Sequence, residues 1–314
     1  MATPMNSLEF ARFVLPILRK EWDQRLQNPT MQSPLAQFFG MESSTSSVEY
    51  SQGIGSFGLI PEYNSNTAEG PSGTIEYDSF DPLYETTFTH KEYAKGVAIE
   101  RKLFDDNRTG VIRRKASSLG QAFAATIATH QSSVLNNAFS ASFVGGDAVA
   151  LCSTAHPINS VSASTYSNDG STALSYDAVI TTLIAGQDMN DDRSVPMPSI
   201  YDVLYVPTAL QGTAYEIVNA IAKPGGANND ANALQFINPR PLQVVVDPYL
   251  TDANNWFMID SQASADHLLW FWRVNPELAL DANSDFNLVA KYRGYMRASF
   301  GWDDARWIYG HEVA

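Results

Sequence analysis

One stretch, Thr109 to Phe139 (TGVIRRKASSLGQAFAATIATHQSSVLNNAF), narrows the folds open to this chain more than any other. Apolar or small side chains recur at Ile112, Ala116, Leu119, Phe123, Ile127, Val134 and Ala138. Steps of three, four and seven residues put them on one face of an α-helix. Arg113, Arg114 and Lys115 open the stretch, and the remainder is mostly Ala, Ser, Gln and Asn. The apolar stripe is therefore narrow. It predicts a strut packed against one sheet, not a member of a helical bundle.

Upstream, Ser7 to Leu26 reads as a short amphipathic segment bent at Pro16, and 27–45 turns irregular around Pro29, Pro34 and Gly40. Such an arm has too little core to fold alone and should lie on something else. Ser46 to Ile60 is extended and loosened by glycines. Asn64 to Gly73 (NSNTAEGPSG) is a polar turn cluster, and Thr74 to Ile99 is again extended, with aromatic and β-branched residues. Together they predict a long hairpin. It is too polar to own a core, and an isolated ribbon is marginal in water, so the hairpin should rest on another subunit.

Beyond the strut, 152–171 is a Ser/Thr/Asn loop. The patterns then predict helices over Tyr176–Met189 and Pro207–Ala222, strands over Tyr201–Val206, Leu242–Val246, Trp256–Ile259 and Leu268–Val274, and strand character over Phe286–Gly310. This is a mixed α/β region on an open sheet.

Composition excludes several function classes. A net charge of −14 argues against simple coating of nucleic acid or an anionic membrane. Cys152 is the single cysteine, which rules out an intrachain disulfide framework and fits a reducing compartment. No apolar run approaches the ~20 residues of a membrane span. Glu9, Arg12 and Pro16 interrupt the N-terminal apolar patch, so neither a signal peptide nor an anchor is expected there, nor a removed propeptide.

Candidate chemistry is thin. Gly53–Gly58 (GIGSFG) satisfies G-x-G-x-x-G, but Leu59, Ile60 and Pro61 follow where a helix should open, so the glycines read as loosening of a strand. Cys152 and His156 are four apart in LCSTAHP without an orienting carboxylate, and a chance loop pairing is the expectation. His130 lies beside the helical stripe and predicts a packed histidine; His90, His267 and His311 are isolated. No zinc-type pair exists. Asp188–Asp192 and Asp281–Asp285 begin like calcium loops but lack the sixth-position glycine and the twelfth-position acid. Asn107–Thr109 is a sequon without a secretory route. Arg101, Lys102, Arg108, Arg113, Arg114 and Lys115 are the main basic concentration, with Asp105 and Asp106 among them. The residues thus give no catalytic site, no cofactor site and no metal site.

The order of parts, with YETTFTHKEYAKGVAIERKLFDD (Tyr84–Asp106), LCSTAHP (Leu151–Pro157) and KYRGYMRASFGWDDARWIYG (Lys291–Gly310), resembles tailed-bacteriophage major capsid proteins of the Hong Kong 97 fold, and Mu-like head subunits in particular. The resemblance implies an α+β fold with an N-terminal arm (1–45) and an extended loop (46–95). A peripheral domain carrying a spine helix (96–146 and 286–314) and an axial domain (147–285) complete it. It further implies a non-enzymatic virion protein assembled in the bacterial host cytoplasm. Its partners would be copies of itself in pentamers and hexamers, packaged double-stranded DNA, and separate scaffolding, portal and possible decoration proteins, with no membrane. An encapsulin-type shell remains open as an alternative, as does an α/β enzyme using Gly53–Gly58 or Cys152 and His156. Some relatives crosslink a loop lysine to a neighbouring asparagine. Here 64–73 holds no lysine, and Lys91 and Lys95 fall near the hairpin base, so the expected lattice is non-covalent.

Overall fold

The computed structural model describes residues 7–28, 31–56, 58–60, 77, 82–100, 102–103, 106, 109–159, 164–224, 230–280 and 289–314. The predicted strut is helix α2 (Thr109–Asn136), ending three residues short of Phe139. Ahead of it, α1 (Ser7–Leu26) is one helix that continues through Pro16.

Two sheets divide the strands. The first runs β1 (Gly40–Ser43), β11 (Leu268–Leu280), β12 (Val289–Trp302), β4 (Lys91–Glu100), with β1 parallel to β11 and the other pairs antiparallel. The second runs β7 (Asp169–Gly170), β13 (Ile308–His311), β10 (Trp256–Ile259), β8 (Val203–Pro207), β9 (Gln243–Asp247). A separate antiparallel ribbon joins β2 (Val48–Ile54) to β3 (Pro82–Thr89), in register from Val48↔Thr89 to Gln52↔Glu85 and shifted by an irregularity before Ile54↔Pro82. This is the expected hairpin; its polar tip, 64–73, lies outside the described residues. A small pair, β5 (His156–Pro157) with β6 (Thr165–Tyr166), completes the strands.

The sheets share one long ribbon. Strand β10 leads through helix α6 (Ser261–His267) into β11, and β12 leads through a turn at 303–307 into β13. The rungs continue across both connectors. Leu268 pairs with Trp302, Asp303 N donates to His267 O at 3.2 Å, Asp260 N to Trp307 O at 2.8 Å, and Ile259 pairs with Ile308. The expected domain boundary at 285/286 lies outside the described residues, between the paired strands β11 and β12, and the expected loop end at Lys95 falls inside β4.

Among the described residues the three larger apolar cores follow from this layout. The stripe of α2 (Ile112, Ala116, Leu119, Phe123) packs with Leu18 and Trp22 of α1 against Ile99, Leu278, Tyr292 and Met296 of the first sheet. Glycines set the spacing here. A Cβ at Gly120 would stand 2.8 Å from Trp22 O, and one at Gly294 would stand 2.7 Å from both Trp22 Cη2 and Phe123 Cε2. Burying the Trp22 indole contributes about 3 kcal/mol of transfer free energy, so α1 rests on this chain's own α2. Helices α3 (Tyr176–Gln187) and α4 (Gln211–Asn219) cover one face of the second sheet. The third core fills the junction, with Val134, Leu135, Trp270, Trp302 and Trp307.

A buried polar chain also reaches the junction. Ser33 Oγ lies 2.8 Å from Ser132 Oγ, which donates to Asp247 Oδ2 at 2.7 Å, and Tyr205 OH donates to the same oxygen at 2.6 Å. It ties the arm, α2 and the second sheet together, because a buried carboxylate must keep its donors.

Candidate functional site

The enzyme-like candidates resolve into structure. Cys152 is buried, with its Sγ 2.6 Å from where a Cβ on Gly310 would stand. Burial pushes its thiol well above the ordinary cysteine value, which suppresses the thiolate a nucleophile needs. His156 uses both ring nitrogens elsewhere. Nδ1 lies 2.7 Å from Asp147 Oδ2 and Nε2 lies 3.2 Å from Leu151 O, while the ring stacks on Tyr166. The orienting carboxylate missing from the sequence pattern is Asp147, nine residues upstream, but it serves a core histidine and not a base. His130 packs between Tyr93 and Phe300, as the stripe implied.

Gly53 lies within β2, one residue before its end, and no helix opens within 54–56, so the dinucleotide reading fails on its context. Asp191 is spent inside its own turn, where Oδ1 accepts from Arg193 N at 2.9 Å and Val195 N at 2.7 Å. Asp281–Asp285, Arg101 and Arg108 lie outside the described residues. Among the described residues no cluster of ligating side chains suits a metal.

What the chain does present is a hairpin held at its root and exposed beyond it. Ser51 Oγ donates to Asp303 Oδ2 at 2.7 Å, Ser56 N to Asp192 Oδ1 at 3.0 Å, and Tyr84 OH to Asn159 O at 2.7 Å. Asp303 also accepts from His267 Nδ1 at 2.9 Å, and this bond raises the histidine's pKa. Gly146 closes the contact, since a Cβ there would stand 2.6 Å from Thr86 Oγ1 and 2.7 Å from Glu85 O. These groups edge a cleft of about 250 Å³ lined also by Asp147, Asp191 and Arg306. At the β3–β4 corner, buried His90 bridges Ser44 Oγ and Ser299 Oγ, both at 2.9 Å, and desolvation lowers its pKa.

The hairpin root was hidden in the sequence because each contact joins positions about 75 to 250 residues apart through ordinary Ser, Tyr and Asp side chains. Beyond it, Leu59 is 80% exposed and Ile60 93%. A second apolar group follows α4, with Ile221 in the connector and Phe236 and Ile237 in the short helix α5 (Leu234–Ile237); Ile221 is 87% exposed. Side chains of this size in water favour burial by a partner.

The family profile described as "Phage capsid protein" matches residues 84–310. No curated protein matches the chain. Solved structures share its fold at low identity. One is titled the capsid structure of cyanophage P-SCSP1u (TM-score 0.57, 11% identity, 90% of this chain and 88% of that one). Another is titled the bacteriophage JBD30 capsid (0.55, 14%, 72% and 94%). A third, from Microbacterium phage Oxtober96, aligns at 0.51 and 12% over 90% and 91%.

Proposed function

The chain belongs to the phage capsid protein family, and on that premise we propose that it is a Hong Kong 97-type tile, closing as pentamers and hexamers around double-stranded DNA. The family match over residues 84–310 carries the capsid reading. In the proposed layout, residues to about Thr45 form the N-arm and the β2–β3 hairpin is the extended loop. The first sheet with α2 is the peripheral domain, and the second sheet with α3 and α4 is the axial domain. Scaffolding, portal and decoration proteins complete the proposed partner set.

Physical features support self-assembly. The hairpin has no core of its own, and the apolar group at Ile221 and Phe236 lies far along the chain from it. Two separate patches suit a heterologous contact that repeats around a ring and closes.

Electron microscopy and sedimentation of the purified full-length chain test the reading. Closed shells are expected, with nucleic acid inside those recovered from infected cells. A population that remains monomeric under all assembly conditions overturns it, and shells that enclose enzymes in place of nucleic acid redirect it to a nanocompartment.

A further inference from the structure

Helix α2 departs from ordinary helix electrostatics. Its 28 residues contain Arg113, Arg114 and Lys115 and no Asp or Glu, with no acid in the first turn. A helix N-terminus already carries partial positive charge and normally attracts carboxylates. Here cations gather at that end in a chain with 34 acidic residues against 20 Lys and Arg. Arg113 and Arg114 are exposed and, among the described residues, take part in no ion pair.

The neighbouring helix adds to the same place. Gly120 abuts Trp22 and Arg25, and Arg25 Nε donates to Ser117 Oγ at 2.9 Å. Arg25, itself exposed, therefore sits one turn from Arg113 and Arg114. From Arg114 the outward stripe of α2 continues through Ser118, Gln121 and Thr129, none of them charged. A local preference broken with no ion pair to offset it among the described residues points to a function outside the subunit.

We infer that this face of α2, with Arg25, Arg113 and Arg114, is a contact surface for the phosphodiester backbone of the enclosed DNA. The inference rests on the capsid reading. Guanidinium groups pair with phosphate oxygens in a fork geometry, and neutral hydroxyl and amide side chains along the stripe can hydrogen-bond further phosphates without repelling them. Such contacts carry no base information, so binding is indifferent to sequence and dominated by counterion release.

The test is fluorescence anisotropy of the full-length unassembled subunit with a short labelled DNA duplex of random sequence, at several salt concentrations between about 50 and 200 mM NaCl. Wild type should bind with a linear fall of log affinity against log salt. The R113Q/R114Q double variant should lose about two units of that slope. K223Q, which removes a cation paired with Asp177 elsewhere, should keep it. Circular dichroism confirms that each variant is folded. Absence of wild-type binding, or an unchanged slope in R113Q/R114Q, overturns the inference. Shell formation is imaged in parallel. An unchanged slope with normal shells strikes this inference alone, and an unchanged slope with lost shells means that the surface meets another copy of the chain. Failure of the wild type to form shells strikes the capsid reading instead.

Discussion

His311 lies flat against Trp256, ring centroids 3.9 Å apart, with Nε2 2.8 Å from Thr182 Oγ1 and Nδ1 buried without a partner. Thr182 already donates its proton to Ala178 O, so the ring fits as the neutral form that donates from Nε2. Burial lowers its pKa to about 4. An unfolded chain titrates that histidine near 6.5, and between the two values only the unfolded state binds the proton. Stability should therefore fall as pH drops from about 6.5 toward 4. His267 acts in the opposite sense. Asp303 raises its pKa, so its stabilisation is complete below the ordinary histidine value and is lost as pH rises through the raised one. Thermal melts of the unassembled subunit across this range check the first effect. The acid-side slope should be shallower in His311→Phe, and an equal slope in both proteins would refute the assignment. Little of this was legible beforehand. His311 is isolated in the chain, and its Thr182 and Trp256 contacts are made only when the second sheet closes.

At the scale of elements, periodicity carried most of what the structure contains. The stripe of α2, the three strands of the YDVLYV, LQVVV and WFMI type and helix α3 all stand within a few residues of expectation. The misses have local causes. The strand expected over Leu268–Val274 runs on to Leu280 through Asn275-Pro276, a dipeptide that usually marks a turn. The chain instead passes the proline as an irregularity, with register shifts on both sides of Val274 before pairing resumes at Glu277↔Tyr295. Helix α6 was missed because seven residues give no period, although Asp260, which accepts from Gln262 N and Ala263 N, is an N-cap visible in the sequence. The hairpin's extended arms followed from their alternating pattern, but its root did not, since Gly146 reads as one more loop glycine. Gly146→Val should force β3 away from the body, because backbone atoms of Glu85 block the added carbon. The expected cost is about 1–3 kcal/mol. It should appear as a lower melting temperature and as faster amide exchange in Val48–Ile54 and Pro82–Thr89, with β11 and β12 unaffected. Unchanged protection in those two strands would count against the seating described.

For the whole molecule, the lattice should hold without covalent links. Lys91 and Lys95 are on β4, paired in the first sheet opposite Ala298 and Gly294, and 64–73 contains no lysine. Denaturing gels of intact particles should give one subunit band, and a ladder of linked subunits would sink the expectation. The strength of such a lattice then depends on how each tile bears load. The ribbon from β10 and β13 into β11 and β12 crosses between the sheets twice, side by side, through connectors that keep their hydrogen-bonded rungs and surround Trp270, Trp302 and Trp307. Bending the two halves about that waist would open an aromatic core. Bending at the hairpin root disturbs a few polar contacts at the rim of a cleft. A shell that must curve differently at five-fold and six-fold positions should therefore keep its tiles stiff and take up the difference in the angle of the hairpins, as a tiled vault does in its mortar.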